Sequence, residues 1–162
     1  MKPSARIVDV PGLARRSSGK ARSVSDLRDC YRAINAKYFR NRLPRSMRVA
    51  WMDPEMLKDD LPEFFLGRCW GDLTQIVVHP VYALPQVPTQ VVGSTVFHEM
   101  IHAIAFVTGA PDDHLDHGPK FKRVESQWPL IDACRAWKSK NYQAMLEWSR
   151  HCADARNWRK AA

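Results

Sequence analysis

Residues His98-Glu99-Met100-Ile101-His102 form an H-E-x-x-H motif, and these are the residue types of metal-assisted hydrolysis. A helix turns about 100° per residue, so positions i and i+4 share a face and lie roughly 6 Å apart along the axis. Two imidazoles so placed can reach one metal ion. Glu99 stands one step round, where its carboxylate can reach a water on that metal rather than the metal itself. The surroundings are apolar, with Val91, Val92, Val96 and Phe97 before the motif centre and Ala103 to Val107 after it. Two ordinary, partly buried histidines would satisfy the same spacing. Burying both together with a carboxylate, however, costs several kcal/mol unless the polar groups find partners. A metal supplies them.

A zinc hydrolase usually takes three protein ligands and leaves one position for water. The metzincin continuation of the motif fails, because Ala105 and Thr108 stand where glycine and histidine are needed. A third ligand must come from later in the chain. His117 and His114 are the candidates, with Asp112, Asp113 and Asp116 behind them, and spacing does not choose between the two histidines. Any of these aspartates could also hold a ligand imidazole by its second nitrogen.

The elements that must position these groups follow from pattern. Pro88 or Thr89 can open the motif helix and Gly109 can close it. Upstream, Ser23 with Asp26 resembles a capped helix start, and Leu27, Tyr31, Ile34 and Tyr38 recur at helical spacing to about Asn41. Leu43-Pro44 breaks that helix, and Met47 to Met52 reads as a strand ended by Asp53-Pro54. Residues 53–65 are acidic and read as a loop or short helix. Leu66–Trp70 and Thr74–His79 are two short strands across a Gly71-Asp72 turn, a hairpin. Nothing in the spacing of His79 supports ligation, so it reads as structural. A loop from Tyr82 to Pro88 leads into the motif helix. Pro119 suits the first position of a later helix packed through Phe121, Val124 and Trp128. Pro129 interrupts, and Leu130 to Lys160 reads as helical again.

Composition bounds the setting. The chain of 162 residues suits one domain with a real core. No apolar run of about 18 residues free of charge implies a membrane span, and the N-terminus has no apolar signal region. Cys30, Cys69, Cys134 and Cys152 are scattered, with no C-x-x-C pair. Such thiols point to a reducing, intracellular and thus cytoplasmic setting rather than a disulfide framework or zinc ribbon. Charge is uneven: residues 1–48 carry a net +10, residues 49–119 a net −8 and residues 120–162 a net +6. Basic ends of this density can bind the phosphate backbone of DNA, although Lys and Arg also serve simply to solvate helix faces. Residues 1–22, with Arg15, Arg16, Lys20 and Arg22, read as a basic, mobile tail.

With these residues in place, the chain resembles the SprT-like zinc metalloprotease family, the Spartan type, whose members include a protease of DNA-crosslinked proteins. The resemblance rests on His98-Glu99-Met100-Ile101-His102-Ala103, on Phe106-Val107-Thr108, and on His117-Gly118-Pro119-Lys120-Phe121. Tyr38-Phe39, Arg42-Leu43-Pro44, Val49-Ala50-Trp51 and the glycine-containing stretch Gly67–Pro80 are similar to the family's upstream segments. It covers about residues 25–128. It implies a metalloprotease domain over 23–162, Zn2+ on His98, His102 and His117, and Glu99 as general base. The implied fold is α+β: a zincin-like core with a small antiparallel sheet packed on the H-E-x-x-H helix and further C-terminal helices. The C-terminal four-cysteine zinc ribbon of many members is missing. Tyr82, His114 and Arg123 are candidates for the oxyanion partner. The function implied is endopeptidase action on DNA-associated or DNA-crosslinked proteins. The competing readings are a zinc peptidase of free proteins and a nucleic-acid-binding module with a structural metal.

Overall fold

The computed structural model of the chain describes residues 21–53, 66–70, 75–109 and 117–153, with side chains as far as Ser149. Helix α1 spans Val24–Phe39 and begins with the capping box expected of Ser23 and Asp26, each side chain bonding the other residue's backbone N–H. It ends where Arg40 and Asn41 turn left-handed. Three strands follow, β1 (Arg48–Trp51), β2 (Gly67–Cys69) and β3 (Gln75–Val78). A short 3-10 turn, Pro80–Ala83, occupies part of the stretch expected to be loop. Helix α2 spans Thr89–Val107, α3 Pro119–Glu125 and α4 Ile131–Ala153. The expected continuation of the last helix to Lys160 lies outside the described residues, as do the acidic stretch 54–65 and the tail 1–20.

The class is α+β, as expected, but the sheet is mixed rather than antiparallel. β3 is central, with β2 antiparallel on one side and β1 parallel on the other. β2 and β3 pair antiparallel with only residues 70–74 between them, too few for a crossover, and the expected Gly71-Asp72 turn lies outside the described residues. The direction of β1 depends instead on a long crossover, which is what parallel pairing requires. β1 and β3 are also buried at nearly every residue, the pattern of strands covered on both faces.

Helix α2 is the centre of the core. Val91 to Phe97, Met100, Ile101, Ala103 and Ala105 are all buried, so the helix is apolar on nearly all sides. Its β-branched residues and uncapped Pro88 start give little intrinsic helix preference, and packing holds it. Ser94 and Thr95 return their hydroxyls to the Val91 carbonyl at 2.8 and 3.1 Å, so neither buries an orphan donor. Past Thr108, Gly109 closes the helix at φ +69°, where its lack of a Cβ removes the strain. Among the described residues α2 is the one helix long and apolar enough to cross a membrane, and 67% of it is packed inside the protein. Phe97 anchors an aromatic cluster, its ring centroid 4.9 Å from Tyr38, 5.5 Å from Phe39 and 5.3 Å from Trp128. That cluster ties α1 and the end of α3 to α2.

Arg22, read from sequence as part of the tail, belongs to the fold. Its guanidinium donates to the carbonyls of Tyr82, Leu84 and Val87 at 3.2, 2.9 and 2.7 Å, and to Thr89 Oγ1 at 3.2 Å. One planar fork thereby fixes the whole approach to α2. Arg22→Ala strips donors from three carbonyls and should lower unfolding free energy by about 1–3 kcal/mol. Urea denaturation checks this; a loss within about 0.5 kcal/mol, the range of ordinary surface substitutions, would make the clamp ornamental.

Candidate metal centre

The helical spacing does what it must. His98 and His102 share a face of α2, and the turn before α3 brings His117 to them. The three Nε2 atoms form a nearly equilateral triangle, with edges of 3.3 Å (His98–His102), 3.1 Å (His98–His117) and 3.2 Å (His102–His117). His98 and His102 are half-buried and His117 is exposed, so the triangle opens to the surface. His117 holds φ +52°, a left-handed conformation uncommon for a residue with a side chain. Phe121, four residues on, packs against the whole cluster: its buried ring lies 4.8, 4.8 and 4.6 Å from the rings of His98, His102 and His117. It is the floor on which all three imidazoles stand.

Hydrogen bonding sets the chemistry of the nearest donor. Glu125, buried at the end of α3, accepts from His98 Nδ1 at 2.9 Å. A carboxylate can only accept, so the His98 proton sits on Nδ1 and Nε2 presents its lone pair to the triangle. Arg135 of α4 binds the other oxygen of Glu125. Burial would raise the Glu125 carboxyl, but the bonds and charges of His98 and Arg135 outweigh it and hold the group at about 2.

Neutral imidazoles that each turn Nε2 to a common point can share an ion there. In a tetrahedral site with bonds of about 2.0–2.1 Å, neighbouring ligand atoms lie roughly 3.3–3.4 Å apart, and the observed edges fit that geometry. The cluster can hold a metal ion.

Glu99 points elsewhere, as its position one step round the helix requires. It is buried against the edge of β2, where the Cys69 backbone N–H donates to its carboxylate. The fit is close: a Cβ on Gly67 would stand 2.8 Å from Glu99 Oε1 and 3.0 Å from its Cγ, so only glycine allows the strand this near. Burial pushes the Glu99 carboxyl up to about 7, against the pull of His98, the Cys69 N–H, Lys138 and Arg68.

The other sequence candidates separate cleanly. His79 is buried away from the triangle; its Nδ1 accepts from Val81 N–H at 3.0 Å and its Nε2 meets Ser149 Oγ at 3.0 Å. Burial holds it neutral, with a pKa down at about 4, and its role is structural. Tyr82 is fully buried in the core, and Arg123 is exposed on α3. His114, Asp112, Asp113 and Asp116 lie outside the described residues. The carboxylate that meets a histidine of the triangle is Glu125, which sequence reasoning passed over. Its signal was present: Phe121, Glu125 and Trp128 fall on one helical face, and a carboxylate inside an apolar stripe needs a buried partner. Cys30, Cys69 and Cys134 form no disulfide among the described residues.

A sequence model of the SprT-like family matches residues 27–134, two thirds of the chain, and takes in α1, the sheet, α2, α3 and the start of α4. No curated protein and no solved structure gives a match.

The two carboxylates predict measurable behaviour. Removing Glu125 frees the His98 ring and its tautomer, so Glu125→Ala should weaken metal affinity about 10–100-fold. Chelator competition checks it, and an unchanged affinity would reduce the contact to packing. In metal-free protein, Glu99 keeps a proton in the folded state between its ordinary 4.5 and about 7, while the unfolded chain has lost it. Stability therefore falls as pH rises through that window. Glu99→Gln should gain on the wild type across the same interval and hold level above it, as read by urea denaturation in chelator at stepped pH. A gap independent of pH would mean the carboxyl is not desolvated.

Proposed function

The chain belongs to the SprT-like family, and on that premise we propose that it is a zinc-dependent endopeptidase acting on DNA-associated or DNA-crosslinked proteins. His98, His102 and His117 hold the metal, and Glu99 is the general base. The observation that carries this reading is the convergence of three imidazole Nε2 atoms within 3.1–3.3 Å of one another, with one buried carboxylate on the same helix left out of the triangle. Among the described residues three ligands converge and no fourth does, which is the arrangement of a catalytic site; structural zinc sites close with four. Zinc held there supplies a Lewis acid and lowers the pKa of its water to about 7.

The chain's own residues do the rest. The Glu125–Arg135 pair keeps the proton of His98 on Nδ1, so that Nε2 stays available as a donor. Glu99, with a carboxyl near neutrality, takes a proton from the attacking water and returns it to the leaving amine. The Cys69 N–H and the glycine at 67 keep its carboxylate at the sheet edge while it does so. Basic termini around an acidic middle favour substrates presented on DNA.

Purified Glu99→Gln should keep its metal and lose at least about 100-fold in peptide hydrolysis, the contribution of a general base. His98→Ala, His102→Ala and His117→Ala should lose metal and hydrolysis together. The measurement is metal content alongside cleavage of a DNA-binding protein, with and without DNA. Wild-type activity in Glu99→Gln would defeat the mechanism, and cleavage indifferent to DNA would redirect the substrate to free proteins.

A further inference from the structure

Away from the metal centre, a cluster of arginines surrounds a pocket of about 280 Å³ between α1 and the segment entering β1. Arg28, Arg32, Arg45 and Arg48 line it, all of them exposed. Tyr31, Met47 and Val49, all buried, also line it and give it an apolar floor. Arg28 and Arg32 are one helical turn apart on the outer face of α1, and Arg45 and Arg48 flank the turn before β1.

That turn is pinned. Tyr31 Oη donates to the Pro44 carbonyl at 2.8 Å, and Asn35, itself buried, binds both the carbonyl and the N–H of Leu43, at 3.0 and 3.2 Å. The arginines are therefore carried by a rigid frame. Asp29 offsets one of them, 3.4 Å from Arg32 with both side chains largely exposed. Among the described residues Arg28, Arg45 and Arg48 make no ion pair.

Gathering four guanidiniums round one hollow does nothing for folding, since like charges repel. An anion reverses the balance, and an apolar floor strengthens its attraction by displacing water. The guanidinium fork matches phosphate oxygens two at a time. The hollow is at the small end for an organic ligand and of a size for one or two phosphodiesters. Four cations along an open rim, within the 1–48 stretch that carries net +10, suit a polymer of phosphates better than a single small anion.

We propose that this pocket holds the phosphate backbone of a nucleic acid. The choice of nucleic acid over another polyanion rests on the DNA-linked function proposed above; the pocket itself does not depend on the peptidase chemistry. β1 lies at the sheet edge opposite β2, and β2 is the strand that touches Glu99. A strand at the far edge is about 10 Å away, so bound backbone would leave the metal face open to a protein chain.

The test uses the full chain carrying Glu99→Gln, so that binding is read without cleavage, and fluorescein-labelled single- and double-stranded DNA followed by anisotropy at several salt concentrations. Arg28→Ala/Arg48→Ala should weaken binding at least about tenfold near 0.1 M salt and reduce the salt slope on duplex by about 2, one per lost phosphate contact. Lys122→Ala/Lys140→Ala, an equal charge change elsewhere on the surface, should do much less. Arg28→Lys/Arg48→Lys should keep the slope yet lose affinity, as bidentate contacts predict. Equal losses in the two alanine variants, or none in the first, would overturn the proposal. So would saturation of the pocket by inorganic phosphate at matched ionic strength, which would make a free anion the ligand. Loss of peptidase activity in the parent protein would leave this result untouched, and the converse holds too.

Discussion

An apolar helix that carries two imidazoles and a carboxylate through its middle can be buried only if those three groups are matched. Everything near α2 meets that constraint. Its aliphatic faces pack on α1, the sheet and α4, so the helix is fixed on all sides but one. On the remaining side the polar residues are each met by a different element. Glu99 faces the backbone of an edge strand, His98 is tied to Glu125 and through it to Arg135, and Phe121 stands beneath the imidazoles as a group. The same packing turns the three Nε2 atoms toward one another, within 3.1–3.3 Å. Three imidazole nitrogens gathered in this way are a donor set that could hold a cation.

The two carboxylates of the site show how local surroundings divide the work. Glu99 has one backbone donor and distant charges against extensive burial, and burial wins, lifting its carboxyl to about 7. Glu125 is buried as well, but a guanidinium and an imidazole bind it directly and hold it at about 2. The first can exchange a proton near neutrality; the second remains an anion whose single task is to orient a ring. Burial alone and burial with direct charged partners thus push two carboxyls of one site in opposite directions.

Much of this was legible in the sequence because it is local. The capping box at Ser23, the closure at Gly109, the hairpin and the H-E-x-x-H face all follow from residue type at short spacing. What was not legible is what depends on distant segments. The direction of β1 is set by its crossover, so an antiparallel expectation gave way to a mixed sheet. Arg22 resembled its neighbours in a basic stretch, and only the carbonyls of residues 82–87 reveal it as a clamp. His114 and His117 were equal by spacing. The family likeness favoured His117, and the folded chain brings His117 to the pair on α2.

Glycine at position 67 shows why such a site tolerates so little variation in its frame. The edge strand must come near enough for a backbone N–H to reach Glu99, and at that distance even a methyl group would overlap the carboxylate. Moving the strand out would relieve the overlap but break the bond and admit water, which would return the carboxyl toward its ordinary value. The strand cannot retreat without releasing its pairing to β3, through Trp70 N–H to Gln75 and His79 N–H to Leu66. β3 in turn is paired along its other side with β1. The position of one carboxylate is thus held by the whole width of the sheet, whose far edge rests on α1.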